Sequence, residues 1–332
     1  DGVAHPAVIM GMAHDWDLLK AEPFRTLWPQ GADPDGDKWR NDGENQALFI
    51  WSDRNDDGEP QPDEMKLHHT PVSGVTVMKD LSFCLARIGR ETSRATDSQN
   101  LDFSRRRQRP STGAGFQHPS GSSQLAAALP PRAVRLRPVS FTHSGVPLYD
   151  FAQAEVLAEG VHRGRSSGGS QVLADDSDEA VVTLGVEPFD PYSVSGVKAG
   201  KAVWSYPNPW PGLHASHHAA KPKRPGQLIG VTRLLGHFVN PKGSEVGPLW
   251  AVNGNMGNLY LLTRDGLFVG TIFEDVRQGQ LWKMAVAHRG MSLKGLSLHD
   301  ENFWPSISQT QDGQVYLVDG SNCSLVRLDG LE

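Results

Sequence analysis

Cysteine is scarce in this 332-residue sequence. Cys84 and Cys323 stand far apart, with no Cys-x-x-Cys pair and no histidine beside either. That excludes a thiolate zinc site and a disulfide-dense scaffold, and two independent thiols are expected, with one long-range disulfide as the alternative. Long apolar runs are also missing. None approaches the roughly 18 residues of a membrane-spanning helix. The chain opens at Asp1 without a basic and then apolar leader, so any export signal is expected to have been removed or to lie outside the sequence. Nor is there an excess of positive charge: 32 basic against 38 acidic side chains leaves −6, which argues against a nucleic-acid binder. What is plentiful is glycine (35) and proline (23), both of which break helices.

Charge and pattern divide the chain into 1–84, 85–137 and 138–332. The first 80 residues carry −9, whereas 85–140 carry +7 and include Arg105-Arg106-Arg107. The middle stretch is rich in Ser, Gln, Ala and Pro and shows neither a 2.0 nor a 3.6 period, so it reads as a low-complexity insertion or loop. It lacks the interleaved aromatics of a single-strand nucleic-acid arm.

The last third is the most legible. Gly257–Leu262 and Gly313–Val318 share the frame Gly-x-apolar-Tyr-Leu-apolar, and each precedes a turn and a second strand-like run, Leu267–Phe273 and Leu325–Leu328. Arg264-Asp265-Gly266 supplies the positive φ of a tight hairpin. Val181–Leu184, Trp204–Tyr206 and Gln227–Leu235 read as further strands, and only Asp15–Ala21 and Asp150–Leu157 suggest short helical turns. Hairpins repeating at this spacing predict an all-β chain of β-propeller blades, whole or a fragment of something longer, with a β-sandwich as the alternative.

One constellation carries clear chemistry. Asp53-Arg54-Asn55-Asp56-Asp57-Gly58-Glu59-Pro60-Gln61-Pro62-Asp63-Glu64 matches Asp-x-[Asp/Asn]-x-[Asp/Asn]-Gly-x5-Glu at every defined position. Ca2+ takes six to eight hard oxygens. Asp53, Asn55 and Asp57 would offer alternate side-chain oxygens and Glu59 its carbonyl. Gln61 would hold a water, and Glu64 would close the shell with both carboxylate oxygens. The 12 residues resemble an EF-hand loop. Ala47–Trp51 before it reads as a strand, however, and Pro60 and Pro62 discourage pairing and a following helix, so a single rigid loop of the dockerin type is the nearer analogy. Asp33, Asp35 and Asp37 form a weaker second oxygen cluster interrupted by Pro34.

The stretch Trp51–Glu64, together with Trp204–Gly212, Leu261–Phe268 and Phe303-Trp304-Pro305, is similar to large secreted bacterial proteins that join NHL-like propeller blades to a dockerin-like calcium loop. The resemblance spans roughly 45–85 and 137–332. It implies a calcium-stabilised propeller, secreted, periplasmic or on the cell surface, acting as a binding or scaffold module for carbohydrate or another protein.

The rival expectation is an enzyme. His214, His217 and His218 follow Trp204, Tyr206 and Trp210, and such a loop suits a carbohydrate-active hydrolase or polysaccharide lyase. The histidines would hold a transition metal or a catalytic water, joined by His237 or His299, with Tyr206 as acid or base. The bland reading is a Pro-rich connecting loop. Gly164-Arg165-Ser166-Ser167-Gly168 has the spacing of a nucleophile elbow but lacks the strand and helix that position one. His299-Asp300-Glu301 reads as an exposed polar triplet.

Overall fold

The computed structural model describes residues 5–36, 46–89, 131–162, 171–175, 181–189, 193–207, 223–224, 226–239, 246–254, 256–282, 288–298, 305–319 and 323–329. Their strands follow the glycine- and turn-punctuated pattern of the sequence, in small sheets built in chain order. The first sheet contains β1 (Val8–Met12), β2 (Leu48–Ser52) and β3 (Met65–His68). The second begins with β4 (Val75–Val77), β5 (Phe83–Ile88) and β6 (Arg132–Leu136). A separate hairpin of β7 (Pro138–Phe141) and β8 (Pro147–Tyr149) then intervenes before β9 (Glu155–Glu159) completes the second sheet beside β6. The third holds β10 (Val172–Ala174), β11 (Val181–Leu184), β12 (Val194–Lys198) and β13 (Lys201–Tyr206). The fourth holds β14 (Val231–Val239), β15 (Pro248–Gly254), β16 (Asn258–Thr263) and β17 (Phe268–Ile272). A short parallel pair, β18 (Gln280–Leu281) and β19 (Leu296–Ser297), leads to the fifth sheet of β20 (Ser306–Gln309), β21 (Val315–Asp319) and β22 (Ser324–Leu328).

Side chains alternate across each strand, and the alternation shows how the sheets stack. On β2, Phe49 and Trp51 face the N-terminal Ala13, Leu19 and Phe24. Leu48 and Ile50 face the second sheet through Phe83, Leu85, Val134 and Leu136. The other face of the second sheet, Cys84, Ala86 and Ala133, packs on Val172, Ala174 and Val197 of the third. Leu173 and Val194 then meet Leu234, Trp250 and Val252 of the fourth. Finally Leu249, Ala251 and Leu261 meet Ile307, Val315 and Leu317 of the fifth. Each interior sheet is therefore buried on both faces, and a fully buried leucine in such a stack contributes roughly 1.5–3 kcal/mol.

The chain is all-β, and the serial stacking of small antiparallel meanders is propeller-like. Five sheets in succession are not the two facing layers of a sandwich. No described sheet closes on itself.

Locally the strand and turn boundaries follow the sequence pattern in places and shift from it in others. The short helical turns expected at Asp15–Ala21 and Asp150–Leu157 are 3-10 turns, Ala13–Asp15, Asp17–Lys20 and Phe151–Gln153, but from Glu155 the chain is already strand β9. β14 begins at Val231, beyond Gln227, and runs on to Val239. Residues 90–130, most of the basic stretch, lie outside the described ones, and the strands flanking them, β5 and β6, are antiparallel neighbours. Neither cysteine forms a disulfide, as expected of two independent thiols; Cys84 is buried, and that burial pushes its thiol up to about 11. No helix among the described residues is long and apolar enough to cross a membrane.

Candidate metal centre

The acidic loop joins β2 to β3, two antiparallel neighbours, and so is flanked by a strand on its N-terminal side as the sequence implied. Pro62 opens a one-turn 3-10 helix, Pro62–Glu64, that delivers the chain into β3. The reversal is made at Asp56 (φ 61) and Gly58 (φ 75), both left-handed; glycine meets that geometry without steric cost. The loop is tied down at its start, where the Asp53 N–H donates to the Ala7 carbonyl at 2.9 Å and the Ser52 hydroxyl to the Pro147 carbonyl at 3.1 Å.

Within the loop the oxygens at alternate positions turn inward to backbone N–H groups. Asp53 Oδ2 accepts from Gly58 N–H at 3.0 Å, Asn55 Oδ1 from Asp57 N–H at 3.1 Å, and Asp57 Oδ1 from Glu59 N–H at 2.7 Å. The amides of Asn55 and Gln61 both donate to Asp57 Oδ2, at 2.9 and 2.7 Å. The Asp57 carboxyl is accordingly held below the usual carboxylate range, chiefly by the Glu59 N–H, with the two amides adding to it against a weaker desolvation.

Two carboxylates are buried, Asp53 and Glu64. Glu64 is held at both oxygens. The Trp51 indole N–H donates to Oε2 at 3.0 Å, and the Arg54 backbone N–H donates to Oε1 at 2.7 Å. Trp51 is the donor that the sequence reading missed. Its signal lay in the strand register, because Trp51 pairs with Met65, the residue after Glu64. Asp53 is only 5% exposed, and its Oδ1 is buried without a hydrogen-bond partner. A desolvated carboxylate oxygen lacking a donor is costly unless a cation meets it.

The donor set suits a hard cation: carboxylates of Asp53, Asp57 and Glu64, amide oxygens of Asn55 and Gln61, and the Glu59 carbonyl, with no sulfur or imidazole. Among the described residues no three His, Cys, Asp or Glu side chains stand grouped closely enough to grip a metal by themselves. Of the loop's six acids only Asp53, Asp57 and Glu64 belong to the donor set through their carboxylates, and Asn55 and Gln61 turn their N–H faces toward Asp57. Cation binding would require those amides to present oxygen instead.

The second oxygen cluster is neutralised from within the protein. Arg25 forms a two-pronged ion pair with Asp35, and the Asp33 side chain accepts the Asp35 N–H at 3.0 Å. Asp37 lies outside the described residues. So do His214, His217, His218, His299, Trp210 and the Gly164–Gly168 motif. Of the enzyme reading's residues, Tyr206 ends β13 half-buried, edge-to-face with Trp204 at 6.1 Å. Trp204 is a packing residue and not an open stacking platform. Its ring fills the space beside Gly196 and Gly266, where an added Cβ would fall 2.1 and 2.4 Å from it. His237 lies edge-to-face on Trp250 at 5.5 Å.

No family model matches the chain, and no curated protein matches it. Among the solved structures that match is that of a Bacteroides fragilis protein assigned as a 6-phosphogluconolactonase. The identity is 9% and the TM-score 0.26, over 86% of this chain and 76% of that one, too loose a likeness to carry over an architecture or an activity.

Proposed function

We propose that the loop 53–64 binds Ca2+ and that the chain works as a calcium-stabilised β-module, a secreted binding or scaffold domain. The observation that supports this reading most directly is Asp53 Oδ1, an anionic oxygen buried without a donor in a loop made otherwise of hard oxygens. A cation there would meet Asp53, Asp57 and Glu64 with Asn55, Gln61 and the Glu59 carbonyl completing the shell. It would tie the β2–β3 connection to the strands through Trp51. An extracellular setting fits such a site, because loops of this kind outside cells bind at 10⁻⁴–10⁻³ M.

The test is thermal melting in millimolar CaCl2 against chelator, alongside elemental analysis of purified protein. Binding to the folded state alone raises the melting temperature. Calcium should raise it in the native chain and leave Asp53→Asn unmoved. Equal melting of the native chain in both buffers, with no calcium in the protein, overturns the assignment.

A further inference from the structure

The fifth sheet differs from the third and fourth in strand number, with three strands against four among the described residues. Its outer strand β22 pairs with β21 on one side, Ser324–Leu328 against Asp319–Val315. Beside it lies a cleft of about 1020 Å³. That is at the upper end of small-molecule pockets, with room for an extended ligand. Residues from both faces of β22 line the cleft: Leu325 and Arg327 from one, Val326 from the other. The cleft therefore follows the strand's edge and does not merely cover a face. Leu325 is 68% exposed there, and the stacked Phe273 and Trp282 rings, both buried, give the cleft an apolar wall.

Charge at this place runs against that of the chain. Arg289, Lys294 and Arg327 line the cleft against Glu274 and Asp329, and Asp329 is already paired with Arg327 at 2.8 Å. Arg289 and Lys294 are exposed, on a chain of net charge −6.

We infer that this cleft takes an extended, acidic peptide of a partner protein, which adds to β22 as a fourth strand. A strand edge offers a row of backbone N–H and C=O groups that a second extended chain can pair with. Such addition draws affinity from main-chain hydrogen bonds and selectivity from alternate side chains. Here apolar side chains of the peptide would meet Leu325 and the Phe273–Trp282 wall, while carboxylates would meet Arg289 and Lys294. A small anion would use the cations and leave the strand edge and Leu325 untouched. The inference is independent of the calcium loop, which lies on the first sheet.

Two blocked octapeptides test it on the full chain, one alternating valine with glutamate and the other valine with lysine. Calorimetry at low salt should show saturable binding of the glutamate peptide, at least tenfold tighter than the lysine peptide and weakening with added salt. Amide hydrogen exchange should slow across Ser324–Leu328 when it binds. Arg289→Glu with Lys294→Glu should reverse the preference between the peptides. The exchange map of the native chain stands even where that variant folds poorly. Equal binding of both peptides, binding of neither, or protection confined to other strands overturns the inference. So does protection of the same amides by raised protein concentration alone, which would make a second copy the occupant. Displacement of the glutamate peptide by inorganic phosphate at similar concentration, without exchange protection, would make it a small-anion site.

Discussion

Two acidic loops of the same chain are settled in opposite ways. At Asp33–Asp35 the counter-ion is a side chain: Arg25 reaches Asp35 and, by its hydrogen bonds first, draws that carboxyl below its ordinary range. At Asp53–Glu64 none of the described ion pairs involves a loop carboxylate. The loop's one basic residue, Arg54, offers Glu64 its backbone N–H rather than its guanidinium. Similar composition thus produces an internally neutralised turn in one place and a loop with a partnerless buried oxygen in the other. The difference lies in whether a flexible cation can reach, and only the second leaves room for an external ion.

Asp80 extends the comparison, because it has two arginines. It receives Arg135 at 2.9 Å and Arg137 at 2.8 Å, along with the Ser82 hydroxyl at 2.6 Å. Burial pushes its carboxyl up, but the Ser82 bonds and the two guanidiniums outweigh that, and the folded value is lowered. The largest loss should therefore follow Asp80→Ala, which takes a carboxylate partner from the buried Arg135 guanidinium. We expect about 2–3 kcal/mol by urea unfolding at pH 7, most of it due to Arg135 and little to the half-exposed carboxylate. Since the folded pKa lies below the unfolded value of about 3.9, this stabilisation is present above that pH and fades as pH falls through the folded value. The gap between native chain and variant should narrow as pH falls below the folded value. A difference that does not narrow with falling pH would assign the effect to packing.

Of similar size is the metal contribution. With calcium at about 100 times its dissociation constant, the native chain should gain about 2.7 kcal/mol that Asp53→Asn does not gain. Arg54→Ala tests the comparison from the other side. It keeps the backbone N–H that serves Glu64, so calcium response should survive it.

The sequence made the loop legible because its chemistry is local: twelve consecutive residues contain every proposed ligand, and Gly58 fixes the turn. The β16–β17 and β21–β22 hairpins were legible for the same reason, since a repeated Gly-x-apolar-Tyr-Leu frame followed by a turn is a short-range signal, whereas β15 and β20, which carry no such frame, were not. What could not be read was long-range. Trp51 donates to a residue across the β2–β3 pairing. Trp204 is committed to Gly266, far along the chain, which turned an apparent sugar-stacking aromatic into a wedge between two sheets. The three-stranded edge beside Arg289 and Lys294 depends on which strand comes to rest next to which. β14 was misplaced at its start because Gln227–Gly230 is as apolar as a strand, yet Leu228 and Ile229 are buried ahead of it as irregular backbone.

Smaller effects sharpen the contrast between the two loops. Asn55→Asp replaces an amide whose N–H braces Asp57 with a carboxylate that has only oxygens to offer. It removes the amide's competition with the cation and adds charge to the shell. Calcium affinity by titration calorimetry should rise about tenfold, while the chain in chelator becomes less stable as like charges crowd. An unchanged affinity would mean that the amide brace does not compete with the metal. The smallest effect belongs to Asp35→Ala. Its pair with Arg25 lies open to solvent, and such pairs contribute little because water serves either charge nearly as well. The melting temperature should move by less than about 1 °C, and the calcium response of the other loop should be unaltered. If calcium still raised the melting temperature of a chain lacking Asp53 but not of one lacking Asp35, the cation would sit at the first loop. Asp35 and its neighbours would then be the ligands, and Arg25 their competitor.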